Sequence, residues 1–154
     1  MPGRMRPLER SAAMTSVAEK SAAAMWAGDE ASKWLGFIIE HVAEGTATLG
    51  LTVAPHHCNG HGMCHGGIIF SLADSAFAFA CNSRNQATVA QTCTITFISP
   101  VERGDKLTAT AREVSLRGRS GIYDISVTRQ SGEVIAEFRG HSRAIQGTLY
   151  EDDT

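Results

Sequence analysis

Long apolar runs are missing from this sequence. The longest, Ile68 to Cys81, is interrupted by Ser71, Asp74 and Ser75, so it does not read as a membrane-spanning helix. A surplus of charge of one sign is missing too. With a formal net charge of -2, the chain offers no electrostatic reason to expect nucleic acid or an anionic membrane as a partner. Cysteine is sparse. Cys58, Cys64, Cys81 and Cys93 are the four in 154 residues, too few to staple a chain of this size, and reduced thiols in a cytoplasm are the expectation. The basic stretch Met1-Pro2-Gly3-Arg4-Met5-Arg6-Pro7 lacks the apolar h-region of a secretory signal. Residues 1–14 are therefore expected to be a flexible leader and residues 151–154 an acidic tail, flanking one domain at 15–150 that shows no repeat or linker. Hydrophobic content of 43% and charged content of 19% are ordinary for a globular chain long enough to bury its own core.

What is present is a succession of short elements. Ser16-Val17-Ala18-Glu19 reads as a capping box. An alanine-rich helix follows to about Ala27 and ends at Gly28, which suits a left-handed C-cap. A turn around Trp34 leads to a strand at Phe37–Val42, and Glu44-Gly45 turns the chain. Ala47, Leu49, Leu51 and Val53 then alternate with Thr46, Thr48 and Thr52, the spacing of a half-buried strand. After a polar loop from Ala54 to Cys64, the segment Gly66 to Asn82 has almost no polar face, and a helix apolar all round belongs inside a core. At 1.5 Å per residue it is about 25 Å long, the central element of so small a domain.

The rest of the chain reads as strands. Val89, Cys93, Ile95 and Phe97 share a face opposite Thr92, Thr94 and Thr96, and Gln91 breaks that apolar face. Leu107-Ala109-Ala111 and Tyr123-Ile125-Val127 form two more faces, and Ser131-Gly132 turns into Val134-Ala136-Phe138. One apolar helix with five or six strands predicts an α+β fold, an antiparallel sheet curved around a buried helix. Such a sheet has open edges, and two copies joined edge to edge would remove one pair of them.

Chemistry concentrates in the segment from Asn59 through His65-Gly66-Gly67 to Asp74. Two glycines open the buried helix although glycine is a poor helix former. Close approach of a ligand to the first-turn amides explains them, since these amides lack internal partners and sit at the positive end of the helix dipole. They suit a developing oxyanion. Asp74 lies in the least polar stretch, with no basic residue on its helix, and a buried carboxylate is costly unless paired or functional. The competing reading is a structural aspartate that bonds backbone or nearby serine hydroxyls. Gly66 and Asp74 are eight residues apart, about 12 Å along a helix. One carbonyl can hardly touch both in one chain, whereas antiparallel helices from two subunits would pair Gly66 of one with Asp74 of the other.

His65-Gly66-Gly67 followed by Phe70-Ser71-Leu72-Ala73-Asp74-Ser75-Ala76-Phe77-Ala78 closely resembles the phenylacetyl-CoA thioesterases of the hotdog fold. The likeness continues through Ala80-Cys81-Asn82-Ser83, Cys93-Thr94-Ile95, Leu107 to Ala111, Gly121 to Ile125 and Phe138-Arg139-Gly140, and spans roughly residues 22 to 148. The resemblance implies a sheet wrapped around a helix, a homodimer with shared sites, and a homotetramer built from two dimers. It implies hydrolysis of aryl-acetyl-CoA thioesters, with coenzyme A part of the substrate and no separate cofactor. Asp74 would be general base or nucleophile and the Gly66 amide, beside Gly67, would polarise the thioester carbonyl. Asn59 and His65 match positions that line or shape the site, and Ser75 stands next to the carboxylate as a candidate substrate contact. Gly28 departs from the pattern, since a polar side chain from the first helix is expected there.

Other readings compete for some of these residues. His56-His57-Cys58, His61 and Cys64-His65 have the right types for zinc, but the interleaved spacing is unlike paired ligands, and no metal is expected. Arg117-Gly118-Arg119 is either a solvated hairpin turn or a clamp for coenzyme A phosphates, which guanidinium groups bind bidentately. A hotdog enoyl-CoA hydratase and a non-catalytic acyl-CoA-binding module are the alternatives for the whole chain.

Overall fold

Ser16 begins the described chain's first helix as its sequence requires. The Glu19 amide donates to Ser16 Oγ at 3.1 Å and the Ser16 amide to Glu19 Oε1 at 3.4 Å, which satisfies two otherwise orphaned donors. The computed structural model describes residues 15–152; the leader at 1–14 and the last two residues of the acidic tail lie outside them. In chain order the elements are α1 (Val17–Ala27), α2 (Glu30–Leu35), β1 (Ile38–Ala43), β2 (Thr46–Thr52), a 3-10 turn at Pro55–His57, α3 (Gly66–Cys81), β3 (Thr88–Phe97), β4 (Lys106–Arg117), β5 (Ser120–Thr128) and β6 (Val134–Ala144).

Six strands form one antiparallel sheet in the order β1-β2-β4-β5-β6-β3. It curls around α3, which packs on all six strands. This is the hotdog architecture. Leu49, Leu72, Phe77, Ile125, Ile135 and Phe138 are among the buried residues at the helix–sheet contact. No helix among the described residues is long and apolar enough to cross a membrane.

Four local readings change. Gly28 ends α1 with an ordinary φ of -104°; the left-handed glycine is Gly36, at φ 86°. It closes α2, the short helix that stands where the sequence predicts a turn around Trp34. Asp29 starts α2 by accepting the Ser32 amide at 2.9 Å. In β3 a bulge separates Ala90 from Thr92, and Gln91 is the unpaired extra residue. Because a bulge shifts the alternation, Val89 lands on the outer face, 46% exposed, while Cys93 and Ile95 pack inward. A second irregularity, in β6, leaves Ile135 and Ala136 both buried.

α3 is not enclosed all round either. Ile69, Leu72, Ala73, Ala76, Phe77 and Ala80 are buried, but Gly67, Ser71, Asp74 and Ala78 are not. Their spacing of four, three and four residues makes one stripe, which the sheet leaves open.

Candidate active site

His65 sets the start of α3. Its backbone is extended, and its Nδ1 accepts the Gly67 amide at 2.8 Å. The Ile68 and Ile69 amides both reach the His65 carbonyl, at 2.9 and 3.3 Å. Of the first-turn donors this leaves the Gly66 N–H, which has no acceptor among the described residues. It stands at the positive end of the helix, where negative charge is favoured, beside an open, mainly apolar pocket of about 330 Å³ whose lining includes Met63, Ile69, Phe97, Ile98, Ser99 and Val101.

Contacts within the chain give each of the two glycines a further reason. A Cβ on Gly66 would lie 3.1 Å from Phe97 Cζ, and a Cβ on Gly67 would lie 3.0 Å from His65 Nδ1. The first glycine admits a phenyl ring of this same chain and the second admits the capping imidazole. The Gly67 amide is already engaged, so Gly66 is the donor still available.

Asp74 sits half-buried on the open stripe. Burial pushes its carboxyl above the usual carboxylate range, and the Cys93 thiol, which donates to Oδ1 at 3.9 Å, pulls the other way. The serines on either side are committed elsewhere: Ser71 Oγ donates to the Gly67 carbonyl at 2.8 Å, and Ser75 Oγ shares a hydrogen bond with Ser32 Oγ at 3.0 Å, which ties α2 to α3. Among the described residues no backbone or serine group bonds the carboxylate, as a purely structural aspartate would require. The helix runs unbroken from Gly66 through Asp74, so about 12 Å separates them along its axis.

The other candidates fall into place around this helix. Asn59 Oδ1 accepts the His61 and Met63 amides at 2.9 and 3.3 Å, folding the loop that delivers His65. Arg117-Gly118-Arg119 forms the β4–β5 turn, with Gly118 at φ 59°. Arg119 gives both Nε and Nη2 to the Ala144 carbonyl at 3.1 Å, and both Arg117 and Arg119 are exposed. This turn lies at the Cys81 end of α3, because Ser120 pairs with Arg143 and Ala144 with Thr88. Gly66 is at the other end, against Phe97.

Two members of the histidine–cysteine cluster are buried in the fold. His57 is 2% exposed; Nδ1 accepts the Ala54 amide at 2.9 Å and Nε2 donates to the Leu35 carbonyl at 2.7 Å, and burial lowers its pKa. Burial raises the Cys64 thiol to about 11. Among the described residues no three His, Cys, Asp or Glu side chains converge as metal ligands. Gly28 is exposed, and a Cβ there would meet nothing within 4 Å, so the missing polar side chain has left open space.

Two residues of this site are not singled out by the sequence, Cys93 beside the carboxylate and Phe97 beside the amide. Both belong to the apolar face that alternation gives β3. What brings one to the start of α3 and the other to its middle is strand pairing, which alternation alone does not give.

Comparison with known proteins places these features in a family. The sequence model of the thioesterase superfamily matches residues 61–136. The chain is 46% identical over 136 residues to the acyl-coenzyme A thioesterase PaaI of Escherichia coli K12, covering 88% of this chain and 97% of that protein. The structure of the E. coli PaaI protein from the phenylacetic acid degradation operon superposes with a TM-score of 0.84 over 86% of this chain and 96% of that one. A variant of the phenylacetic acid degradation protein PaaI from Thermus thermophilus is 35% identical, with a TM-score of 0.72 over 74% and 97% of the two chains.

Proposed function

This chain belongs to the thioesterase superfamily, and on that premise we propose that it is an acyl-CoA thioesterase that hydrolyses aryl-acetyl-CoA to the free acid and coenzyme A. The observation that carries the reading is the pairing of chemistries on α3: an uncommitted Gly66 N–H at the helix start and a carboxylate, Asp74, held above its usual pKa by burial. The 46% identity to an acyl-coenzyme A thioesterase supports the reaction class. The apolar lining beside Gly66, with Phe97 and Ile69, and the likeness to a protein of a phenylacetic acid degradation operon support the aryl-acetyl group.

In the proposed reaction the thioester carbonyl oxygen accepts the Gly66 N–H of one copy while Asp74 of a second copy acts on the carbonyl carbon. Asp74 either takes a proton from water, whose hydroxyl adds to that carbon, or adds its own oxygen to form an anhydride that water then opens. In both routes negative charge grows on the carbonyl oxygen, where a fixed backbone donor at a helix N-terminus stabilises it. In the first route the C–S bond breaks after the hydroxyl has added, and in the second it breaks as the anhydride forms; coenzyme A leaves as a thiolate that gains a proton from water or, in the first route, from the Asp74 carboxylic acid. Asn59 and His65 shape the loop that presents Gly66, Ser75 fixes the helix beside Asp74, and Arg117 is a cation available for a coenzyme A phosphate. No separate cofactor enters this route.

A thiol-release assay over phenylacetyl-, hydroxyphenylacetyl-, benzoyl- and straight-chain acyl-CoA tests the reading. Turnover of the arylacetyl thioesters at the highest kcat/KM is expected. Release from straight chains at equal or greater kcat/KM overturns the substrate class, and no release from any thioester overturns the activity.

A further inference from the structure

Asp74 receives one hydrogen bond among the described residues, from a thiol on a different element. We propose that Cys93 is a positioning residue, whose S–H holds the Asp74 carboxylate oriented and ionised for the thioester hydrolysis described above, on which this inference rests. The contact is the 3.9 Å approach of Cys93 Sγ to Asp74 Oδ1.

Among the described residues the thiol makes no other hydrogen bond. Cys93 lies two residues beyond the unpaired Gln91, where the bulge has turned β3 so that Cys93 and Ile95 face α3. Bulges are a recurrent means of re-aiming a side chain. Directly across the strand pair from Cys93 stands Gly140, with no side chain to compete for the thiol. The space above Gly140 is filled by Phe77, whose ring carbons would lie 2.7 Å from a Cβ there, and Phe77 is one helical turn beyond Asp74. Cys93 is therefore confined between an aromatic wall and the carboxylate.

The chemistry is consistent with a donor that stays a donor. Burial first, and then the charge of Asp74, raise the Cys93 thiol to about 11, so it keeps its proton at neutral pH. Cys81, two turns along α3, is raised to about 12 by burial and by the same carboxylate. These thiols, one from β3 and one from α3, are the ionisable groups coupled to Asp74, and no Lys, Arg or His forms an ion pair with it among the described residues. A hydrogen bond to the charged form opposes the desolvation that would neutralise it. A thiol is a weak donor, so it steadies the carboxylate with less loss of basicity than a guanidinium would impose.

Cys93→Ala and Cys93→Ser, each confirmed to keep the parental oligomeric state, test the proposal through kcat, KM and the pH profile of kcat/KM. Cys93→Ala is expected to lower kcat roughly three- to tenfold, to leave KM within about twofold, and to move the acid limb to higher pH because the ionised form has lost its donor. Cys93→Ser should restore most of kcat and move the limb below the parent's, because a hydroxyl is the stronger donor. Cys93→Ala with parental kcat and acid limb overturns the proposal; so do equal losses in both variants with the limb unmoved, which mark a packing role. If Cys93→Ala does not fold, an acid limb in Cys93→Ser identical to the parent's overturns it, since a hydroxyl is the stronger donor. Asp74→Asn measured in parallel separates the two readings. Its retained activity would end the proposed mechanism itself, whereas its inactivity beside an unaffected Cys93→Ala would end only the role of Cys93.

Discussion

Ser71 and Ser75 flank Asp74, and each spends its hydroxyl on another partner. The carboxylate is left half-buried with a weak thiol donor, an arrangement that costs stability and that a structural role does not explain. The upward pKa shift gives that cost a pH dependence. For an aspartate whose folded-state pKa exceeds its unfolded one, the folded state binds the proton more tightly. Stability is then complete below the unfolded pKa and declines as pH rises through the folded one. Asp74→Asn should therefore abolish turnover, by about 10²- to 10⁴-fold or more, and yet stabilise the protein at pH 7 by on the order of 1 kcal/mol. In a domain of this size that is roughly 2–4 °C in Tm, and the gain should shrink as pH falls toward about 4, where the aspartate takes up its proton in both states. Thermal melts of parent and variant at pH 7 and pH 4 check it; a Tm at pH 7 no higher than the parent's would contradict it. The anomaly of Asp74 is legible in the sequence, because an unpaired carboxylate in an apolar run stands out wherever it falls. The purpose of Gly66 and Gly67 is not, because it depends on where Phe97 and the His65 ring come to rest.

At the scale of elements, hydrophobic spacing locates the strands and α3, and the Ser16 capping box locates the start of α1. The failures within the strands share one cause. A single extra residue at Gln91 or Ile135 breaks a period of two without changing local composition, so alternation puts Val89 on the inner face and it lies on the outer one. Gln91 carries a signal, since a polar residue interrupting an apolar face can mark a bulge. α2 is six residues long, too short for helical periodicity to stand out. The start of α3 offers a test of whether His65 acts through capping or through the substrate. His65→Ala removes the acceptor of the Gly67 amide and should cost about 1 kcal/mol, with activity falling as the first turn frays. His65→Asn supplies a preferred cap and should recover both Tm and turnover. Recovery of Tm with turnover still lost would instead place the imidazole in the chemistry.

For the whole molecule the decisive feature is separation. Gly66 and Asp74 lie about 12 Å apart along one unbroken helix, too far for one carbonyl carbon and its oxygen to engage both. The single chain also leaves unpaired the β3 edge, where Phe97 is 52% and Ile98 54% exposed, and the α3 stripe that holds Asp74 stays open. A second copy related by a two-fold axis would cover the edge and bring Gly66 of one copy to Asp74 of the other, and complementation tests this. Gly66→Pro removes the amide donor at the first helical position, where proline is tolerated, and costs no intrachain hydrogen bond because that N–H has no acceptor among the described residues. Its ring must displace Phe97, whose Cζ would lie 3.1 Å from the new Cβ, so circular dichroism is needed to confirm the fold. Neither Gly66→Pro nor Asp74→Ala alone should turn over substrate. In dimers co-expressed with two affinity tags, one site inherits both damaged residues and the other inherits neither. Random pairing makes half of the dimers mixed, and each mixed dimer holds one intact site of two, so about a quarter of the parental activity should return. Well-folded mixed dimers without activity would mean that the amide and the carboxylate serve the same substrate from within one chain, and α3 would then have to break or bend between them.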